Sequence, residues 1–253
     1  MFEELSYQGL AVLAGAGVLA TIVNVMAGGG GMIVLPALMA LGLPADVANG
    51  TYRLGVVTQS IAGTAAFHRA GKLERTPIVP ILIPTIVGAV FGALMATWIP
   101  RELLKPIMLG TMIAMAALIA FRKQTLIAEE GPPLTPGQAP RSVVGLFLAG
   151  AYGGFLQAGV GFLLLGVLVG TLRHDLITAN AVKLVVTLAF GVVALGIFAW
   201  AGLVSWTPAA VLAAASIVGA RIGVRLMLKV PVAGLRWFVF VCVVGTCIVA
   251  WYR

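Results

Sequence analysis

The sequence predicts an all-α, polytopic transmembrane bundle of two homologous repeats, inverted relative to each other, each with a short helix set off by glycine. Three observations lead there. Of 253 residues, 61% are hydrophobic and only 9% charged, against about 45–50% and about 25% in ordinary soluble domains. Mean hydropathy is +1.10. Apolar segments of bilayer-spanning length recur along the chain, and the chain matches itself at a constant offset of 131 residues. So little polar surface excludes a water-soluble globular enzyme, a disordered chain and a nucleic-acid module, and makes the lipid bilayer the expected partner. The net charge of +8 fits basic residues in cytoplasmic loops, so no nucleic acid is expected.

A helical span needs about 20 mostly apolar residues. Long segments run over 8–27, 47–67, 77–98, 103–121, 142–158, 179–200, 208–228 and 233–252. Segment 1–7 carries Glu3 and Glu4 and lacks the basic start of a signal peptide, so the first apolar stretch is expected to remain as a span. Two shorter apolar pieces, 32–42 and 162–172, reach only about 16 Å as helix. The stretch 122–141 holds Glu129, Glu130 and Pro132, Pro133, Pro136 and Pro140, an exposed irregular connection. It leaves a first repeat over 1–122, a linker over 123–139 and a second repeat over 140–253. Cys242 and Cys247 share the last apolar segment and read as buried, inert thiols.

The offset aligns 9–122 with 140–253 without a gap. Gly28 falls on Gly159, Gly30 on Gly161, Ala48-Asn49 on Ala179-Asn180, Phe67 on Phe198, Thr76-Pro77 on Thr207-Pro208 and Pro100 on Pro231. Shared alanine or valine in apolar helices means little, whereas shared Asn, Thr-Pro, Phe and Pro at one offset indicates duplication. Loop charges bear on orientation. If the short pieces do not cross, the basic residues divide almost evenly. If they do, Arg69, Lys72, Arg75, Arg122, Lys123, Arg141, Arg173, Arg225, Lys229 and Arg236 fall on one side, against Arg101, Lys105 and Arg253 on the other. The second count favours five crossings per half, an inverted repeat and termini outside the cytoplasm. Repeated membrane proteins of this kind are commonly transporters with a mid-membrane site at the repeat interface.

Candidate site residues cluster at two places in each half. Gly28, Gly29, Gly30 and Gly31 cannot hold a regular helix in an apolar region, and Gly159 and Gly161 echo them. Irregular backbone at membrane depth survives against protein or a water-filled cavity. Each break is expected to leave the following short helix with free N–H groups and a positive dipole end, a pair suited to an anion. Close helix packing through small residues is the alternative. Next come Asn49, Thr51 and Arg53, with Asn180 and Lys183 in the second half. Basic residues inside a span are expensive and mark pathways, unless they snorkel to the interface. The offset pairs Lys183 with Tyr52 rather than Arg53, so the two cations need not be symmetry mates. Asn49 and Asn180 either bond the substrate or cap their helices. Gln59 and Thr58 sit mid-span, lining a path or bonding between helices.

All eight acidic residues lie at span ends or in loops, so no intramembrane carboxylate relay is expected and an anionic cargo fits better than a cation. His68, His174, Arg221 and Arg225 lie near span ends and read as interfacial or anchoring. No HExxH, GxSxG, Walker loop or intramembrane carboxylate pair occurs, so no catalytic residue, metal or cofactor is expected. No signal bears on oligomeric state.

Gly28-Gly29-Gly30-Gly31-Met32-Ile33-Val34-Leu35-Pro36, then Gly42-Leu43-Pro44, Ala48-Asn49-Gly50-Thr51-Tyr52-Arg53 and Phe67-His68-Arg69-Ala70-Gly71-Lys72-Leu73 resemble the TauE/SafE, or sulfite exporter, family. The second half resembles its repeat through Ala179-Asn180-Ala181-Val182-Lys183-Leu184 and Ala201-Gly202-Leu203-Val204, with Val160 and Phe162 interrupting the glycine run. The resemblance covers essentially the whole chain. It implies a bacterial or archaeal inner-membrane permease for sulfite, sulfonates or related organosulfur anions. The expectation is therefore an alternating-access permease for a small anion. A passive anion channel and a non-transporting assembly factor are the alternatives from other classes.

Overall fold

The structure is a computed structural model and describes residues 7–73, 77–121, 131–229, 244–245 and 247–248. The expected span 233–252, with Cys242, lies largely outside the described residues, as do Glu3, Glu4, Glu74, Arg75, Arg122, Lys123, Glu129, Glu130, Arg236 and Arg253. Among the described residues the chain is all-helical: α1 Tyr7–Ala27, α2 Gly31–Ala40, α3 Ala45–Arg69, α4 Val79–Trp98, α5 Arg101–Phe121, α6 Arg141–Phe155, α7 Val160–Gly170, α8 Leu176–Trp200 and α9 Trp206–Met227. Four stretches among the described residues, Tyr7–Met26, Val79–Trp98, Leu176–Trp200 and Trp206–Met227, are long and apolar enough to cross a membrane.

Most boundaries fall within two or three residues of the sequence expectation. The main difference is α6, which stops at Phe155 instead of reaching 158. The chain turns there through Leu156, at φ −121°, and Gln157, at φ 68°. At 15 residues it extends only about 22 Å. The α8 helix opens on Asp175, whose carboxylate accepts the N–H groups of Ile177 and Thr178 at 3.0 Å. The α3 helix opens on Pro44, in extended conformation. Neither Asn49 nor Asn180 is an N-cap; both sit a full turn inside their helices, which removes the capping reading of the two asparagines. His174 is buried in the turn between α7 and α8, whereas His68, near the end of α3, is exposed.

Two helix seams join the halves. Where α4 lies on α6, Gly88 and Gly92 face Phe147 and Ala151, and Gly150 and Gly154 face Thr85 and Ala89; a Cβ at any of the four would strike a main-chain carbonyl. Both helices present a small-xxx-small face, which lets backbones touch where lipid gives no hydrophobic drive to associate. The second seam, α9 on α1, brings Gly219 against Thr21 and Gly223 against Val25, and the Thr21 hydroxyl bonds Ser216 Oγ at 3.2 Å. Between the seams, α3 packs on α8 and on α9. Val79, Ile83, Val87 and Phe91 recur every four residues along α4 and are all more than half exposed, an apolar stripe that belongs in lipid rather than water.

Loop contacts show which helix ends lie together. Arg101 Nε pairs with Asp46 Oδ2 at 2.6 Å, joining the start of α3 to the start of α5. The Thr51 hydroxyl accepts the Ser205 N–H at 3.0 Å, which brings the α8–α9 turn to the same end. Opposite them, the Leu134 N–H donates to the Leu172 carbonyl at 2.9 Å, so α7 returns to the end from which α6 departs.

Widening the α4–α6 seam should be costly. Gly92→Val is expected to destabilise the protein by about 1–3 kcal/mol, the usual cost of overpacking. Gly110→Val, at a position with open space around its Cβ, should have little effect. Thermal unfolding in detergent of both variants measures the difference.

Candidate functional site

The two glycine breaks touch. After α1 the chain turns at Gly28, with φ 81°, and before α7 at Gly159, with φ 80°, a left-handed conformation that favours glycine. A Cβ on Gly28 would lie 2.5 Å from the Gly161 carbonyl carbon, and one on Gly161 would lie 2.7 Å from Gly28 Cα. Backbone therefore meets backbone. A Cβ on Gly30 would enter the Ala20 carbonyl and one on Gly31 would sit 2.8 Å from the Tyr52 ring. Gly29 is also buried. The expectation of free N–H groups at the short helices is corrected in part. Tight turns take up the Met32 N–H at the Gly29 carbonyl, Ile33 at Gly30 and Phe162 at Gly159.

The first turns of α2 and α7 are thus largely satisfied, but the last turns of α1 and α6 end inside the apolar region, and helix C-termini leave carbonyls unbonded. Those of α6 are met by Arg53 from α3. Its guanidinium donates to the Gly153 carbonyl at 3.2 Å, to the Gly154 carbonyl, to the Phe155 carbonyl at 3.4 Å, to Gln157 Oε1 at 3.5 Å and to Asn49 Oδ1 at 3.4 Å. It lies 4.2 Å over the Phe198 ring. Asn49 Nδ2 also donates to the Phe155 carbonyl, at 2.7 Å. The end of α1 is met by Lys183 from α8, whose Nζ donates to the Asn24 and Val25 carbonyls at 3.1 Å and to Asn180 Oδ1 at 2.6 Å. Asn180 Nδ2 turns back to the Leu176 carbonyl at 2.8 Å.

Each cation therefore leans on an asparagine of its own helix and neutralises the negative dipole end of the first helix of the other half. The carbonyls they share out, Asn24 and Phe155, are themselves 131 residues apart. Arg53 is 0% and Lys183 2% exposed, so neither snorkels. Arg53 has no carboxylate among its partners; main-chain carbonyls, which are dipoles and not charges, accept from its terminal nitrogens and leave Nε unpartnered.

Of the expected site residues, Gly28, Gly161, Lys183 and Asn180 come together around the first break; the Lys183 Cδ lies 3.3 Å from where a Gly161 Cβ would be. Asn49 and Arg53 gather at the approach to Gly159. Thr51 is turned to Ser205 instead. Gln59 is buried with no partner for Nε2. Asn24, Gln157 and Phe198 belong to the cluster and were not anticipated, although an asparagine in an apolar run four residues before Gly28 was a visible signal. Arg53 Nε, Ser60 Oγ and Thr64 Oγ1 are likewise buried without partners, and at about 100° per residue these three side chains share one face of α3. No group of three or more His, Cys, Asp or Glu among the described residues is placed to hold a metal.

Removing the lysine isolates its role. Lys183→Met leaves the Val25 carbonyl and Asn180 Oδ1 without their donor and the Asn24 carbonyl with the Gly28 N–H alone, and an unsatisfied buried acceptor costs about 1–3 kcal/mol. A lower midpoint of thermal unfolding in detergent is expected; an unchanged one would show that the α1 end finds other partners.

A family model described as sulfite exporter TauE/SafE matches residues 13–250. A probable membrane transporter protein, ORF9, of Sinorhizobium is 30% identical over 88% of this chain and 85% of its own length. A probable membrane transporter protein of Haemophilus influenzae is 26% identical over 87% and 85%, and YfcA of Escherichia coli K12, described in the same words, is 27% identical over 87% and 81%. The touching glycine breaks, the buried cations and the apolar outer faces thus sit in a chain that belongs to the sulfite exporter TauE/SafE family of membrane transporters.

Proposed function

We propose that this transporter moves a small anion, sulfite or a sulfonate or related organosulfur anion, across the inner membrane by alternating access. The observation that carries the reading is the pair of fully buried cations at the two glycine breaks, with a further unpartnered donor at Arg53 Nε. Buried donors without acceptors are costly, and an anion supplies the acceptor. The site consists of Asn49, Arg53, Asn180 and Lys183 around Gly28–Gly31, Gly159 and Gly161, with Gln59 further along α3 and Thr51 holding the α8–α9 turn. Binding draws the cations from the helix-end carbonyls to the anion. The ends of α1 and α6 are thereby released, and the two halves move against each other.

An inverted duplication is part of this proposal, and several features support it. The α3 and α8 helices are each 25 residues long and start 131 residues apart. Left-handed backbone occurs at Gly28 and Gly159, at Gly42 and Arg173, and at Gly71 and Gly202, each pair separated by the same offset. The α4–α6 seam in one direction answers the α9–α1 seam in the other. The end shared by Asp46, Arg101 and Ser205 carries few basic residues. The end shared by Arg69, Leu134 and Leu172 carries Lys72, Arg141, Arg173, Arg225 and Lys229. By the positive-inside rule the latter is cytoplasmic, and both termini are periplasmic.

Two measurements test the proposal. Sulfite and sulfonate affinity of Arg53→Gln should fall about 10- to 150-fold, since charge-assisted hydrogen bonds contribute about 1.5–3 kcal/mol. Arg53→Lys should recover part of it, because the charge stays and the planar fork is lost; Lys229→Gln serves as an exposed control. Wild-type affinity in Arg53→Gln would make the arginine purely a clamp on α6. For topology, reporter fusions after residue 130 and at the C-terminus should report opposite sides of the membrane, and agreement between them would refute five crossings per half.

A further inference from the structure

A cavity of about 800 Å³ opens between α3 and α9, lined by Thr58, Ile61, Ala65, Arg69, Ile217, Arg221, Arg225 and their neighbours. The two helices are close further back, where a Cβ on Gly55 would lie 3.1 Å from Ser216 Oγ and the Thr58 hydroxyl donates to the Ala213 carbonyl at 3.2 Å. The groove lies between the helices from there to their ends. The geometry points to a binding site for one anionic phospholipid, its phosphate held by Arg69, Arg221 and Arg225 and an acyl chain laid along Ile61, Ala65 and Ile217.

Four observations carry this. The first is charge. None of the three arginine side chains has a hydrogen bond or ion pair with another described residue, and none of the described lining residues is acidic. The second is length. From Thr58 to Arg69 is about 16 Å of helix at 1.5 Å per residue, close to half of a hydrocarbon core about 30 Å thick, so the groove has the depth of one leaflet with its basic mouth at the headgroup level. The third is separation from the proposed anion site. At about 100° per residue, Thr58, Ala62, Ala65 and Arg69 cluster about half a turn around α3 from Arg53. The groove therefore opens on the face that looks away from the central cluster, where Ile61 is 53% exposed. The fourth is that the arginines are not inherited from the duplication pattern. The positions 131 residues away are Trp200, Val90 and Leu94, so three cations converge at one end only. A basic pocket between transmembrane helices is a recognised means of holding anionic headgroups.

The test uses the full chain purified in detergent, titrated with phosphatidylglycerol and phosphatidylcholine of identical acyl chains and read by native mass spectrometry. Phosphatidylglycerol should be retained at least about tenfold more strongly. Each single change Arg69→Gln, Arg221→Gln or Arg225→Gln should cut that preference about fivefold, and the triple change should remove it. Ile61→Trp, which fills the apolar wall and leaves the charges, should weaken retention of phosphatidylglycerol. Millimolar glycerol 3-phosphate, the headgroup chemistry without chains, should not displace the lipid. Equal retention of the two lipids, a preference unchanged in all three single variants, or displacement by glycerol 3-phosphate would overturn the inference, the last by making the groove a vestibule for soluble anions.

Discussion

A helix that ends inside a bilayer leaves its last carbonyls in hydrocarbon, where water cannot satisfy them and each costs several kcal/mol. Among the described residues α1 and α6 end at Ala27 and Phe155, and in the proposed arrangement both ends lie within the bilayer. Arg53 and Lys183 meet the cost by bringing hydrogen-bond donors and positive charge to the negative dipole ends. A buried cation alone would be as costly as the orphaned carbonyls. Placed together, each offsets part of the other's penalty, with Arg53 Nε still unpartnered, so neither the glycine breaks nor the cations make sense in isolation.

That requirement shapes the rest of the bundle. Arg53 must reach α6 from α3, and Lys183 must reach α1 from α8, so the two long central helices cross between the halves and each half completes the other. The close seams follow from it. The α6 helix comes to backbone contact with α4 because Gly150 and Gly154 carry no Cβ. Gly153, on the neighbouring face, brings its carbonyl to Arg53 while a Cβ there would meet Phe190 and Val160. Lipid contributes no net hydrophobic attraction between helices; association therefore rests on these backbone-to-backbone contacts and on the polar links that cross them.

Much of this architecture was legible from residue types. Apolar length gave the helices, four of which among the described residues are long and apolar enough to cross a membrane, and the glycines located both breaks. The cost of a basic residue inside a span singled out Arg53 and Lys183. Their partners were not legible, because a main-chain carbonyl is the same at every position and leaves no letter in a sequence. The short helices begin one or two residues earlier than expected, at Gly31 and Val160, because a first turn tolerates glycine where a helix interior does not. Thr51 stood out by its place beside Asn49 and Arg53, yet its hydroxyl serves the Ser205 N–H, a contact 154 residues away in sequence that no local pattern announces. The constant offset misaligned Arg53 and Lys183 by one residue. Their tasks nonetheless correspond in part, since the long side chains reach one pair of carbonyls that the offset relates, Phe155 and Asn24, from neighbouring positions on the helix.

The two cations differ in kind, and the difference has consequences for the proposed mechanism. Arg53 spreads a planar fork over three carbonyls of α6, Gln157 and Asn49, while Lys183 acts as a point charge on two carbonyls and Asn180. Arginine stays charged and holds a fixed geometry, whereas lysine is compact and rotatable. Drawing Lys183 toward an anion therefore breaks fewer bonds than drawing Arg53, and the α1 end is freed more readily than the α6 end. In the proposed cycle the two halves thus respond unequally to the same ligand. A cycle between outward-facing and inward-facing states needs such a difference in order of release, because halves that let go together would open the path to both sides at once.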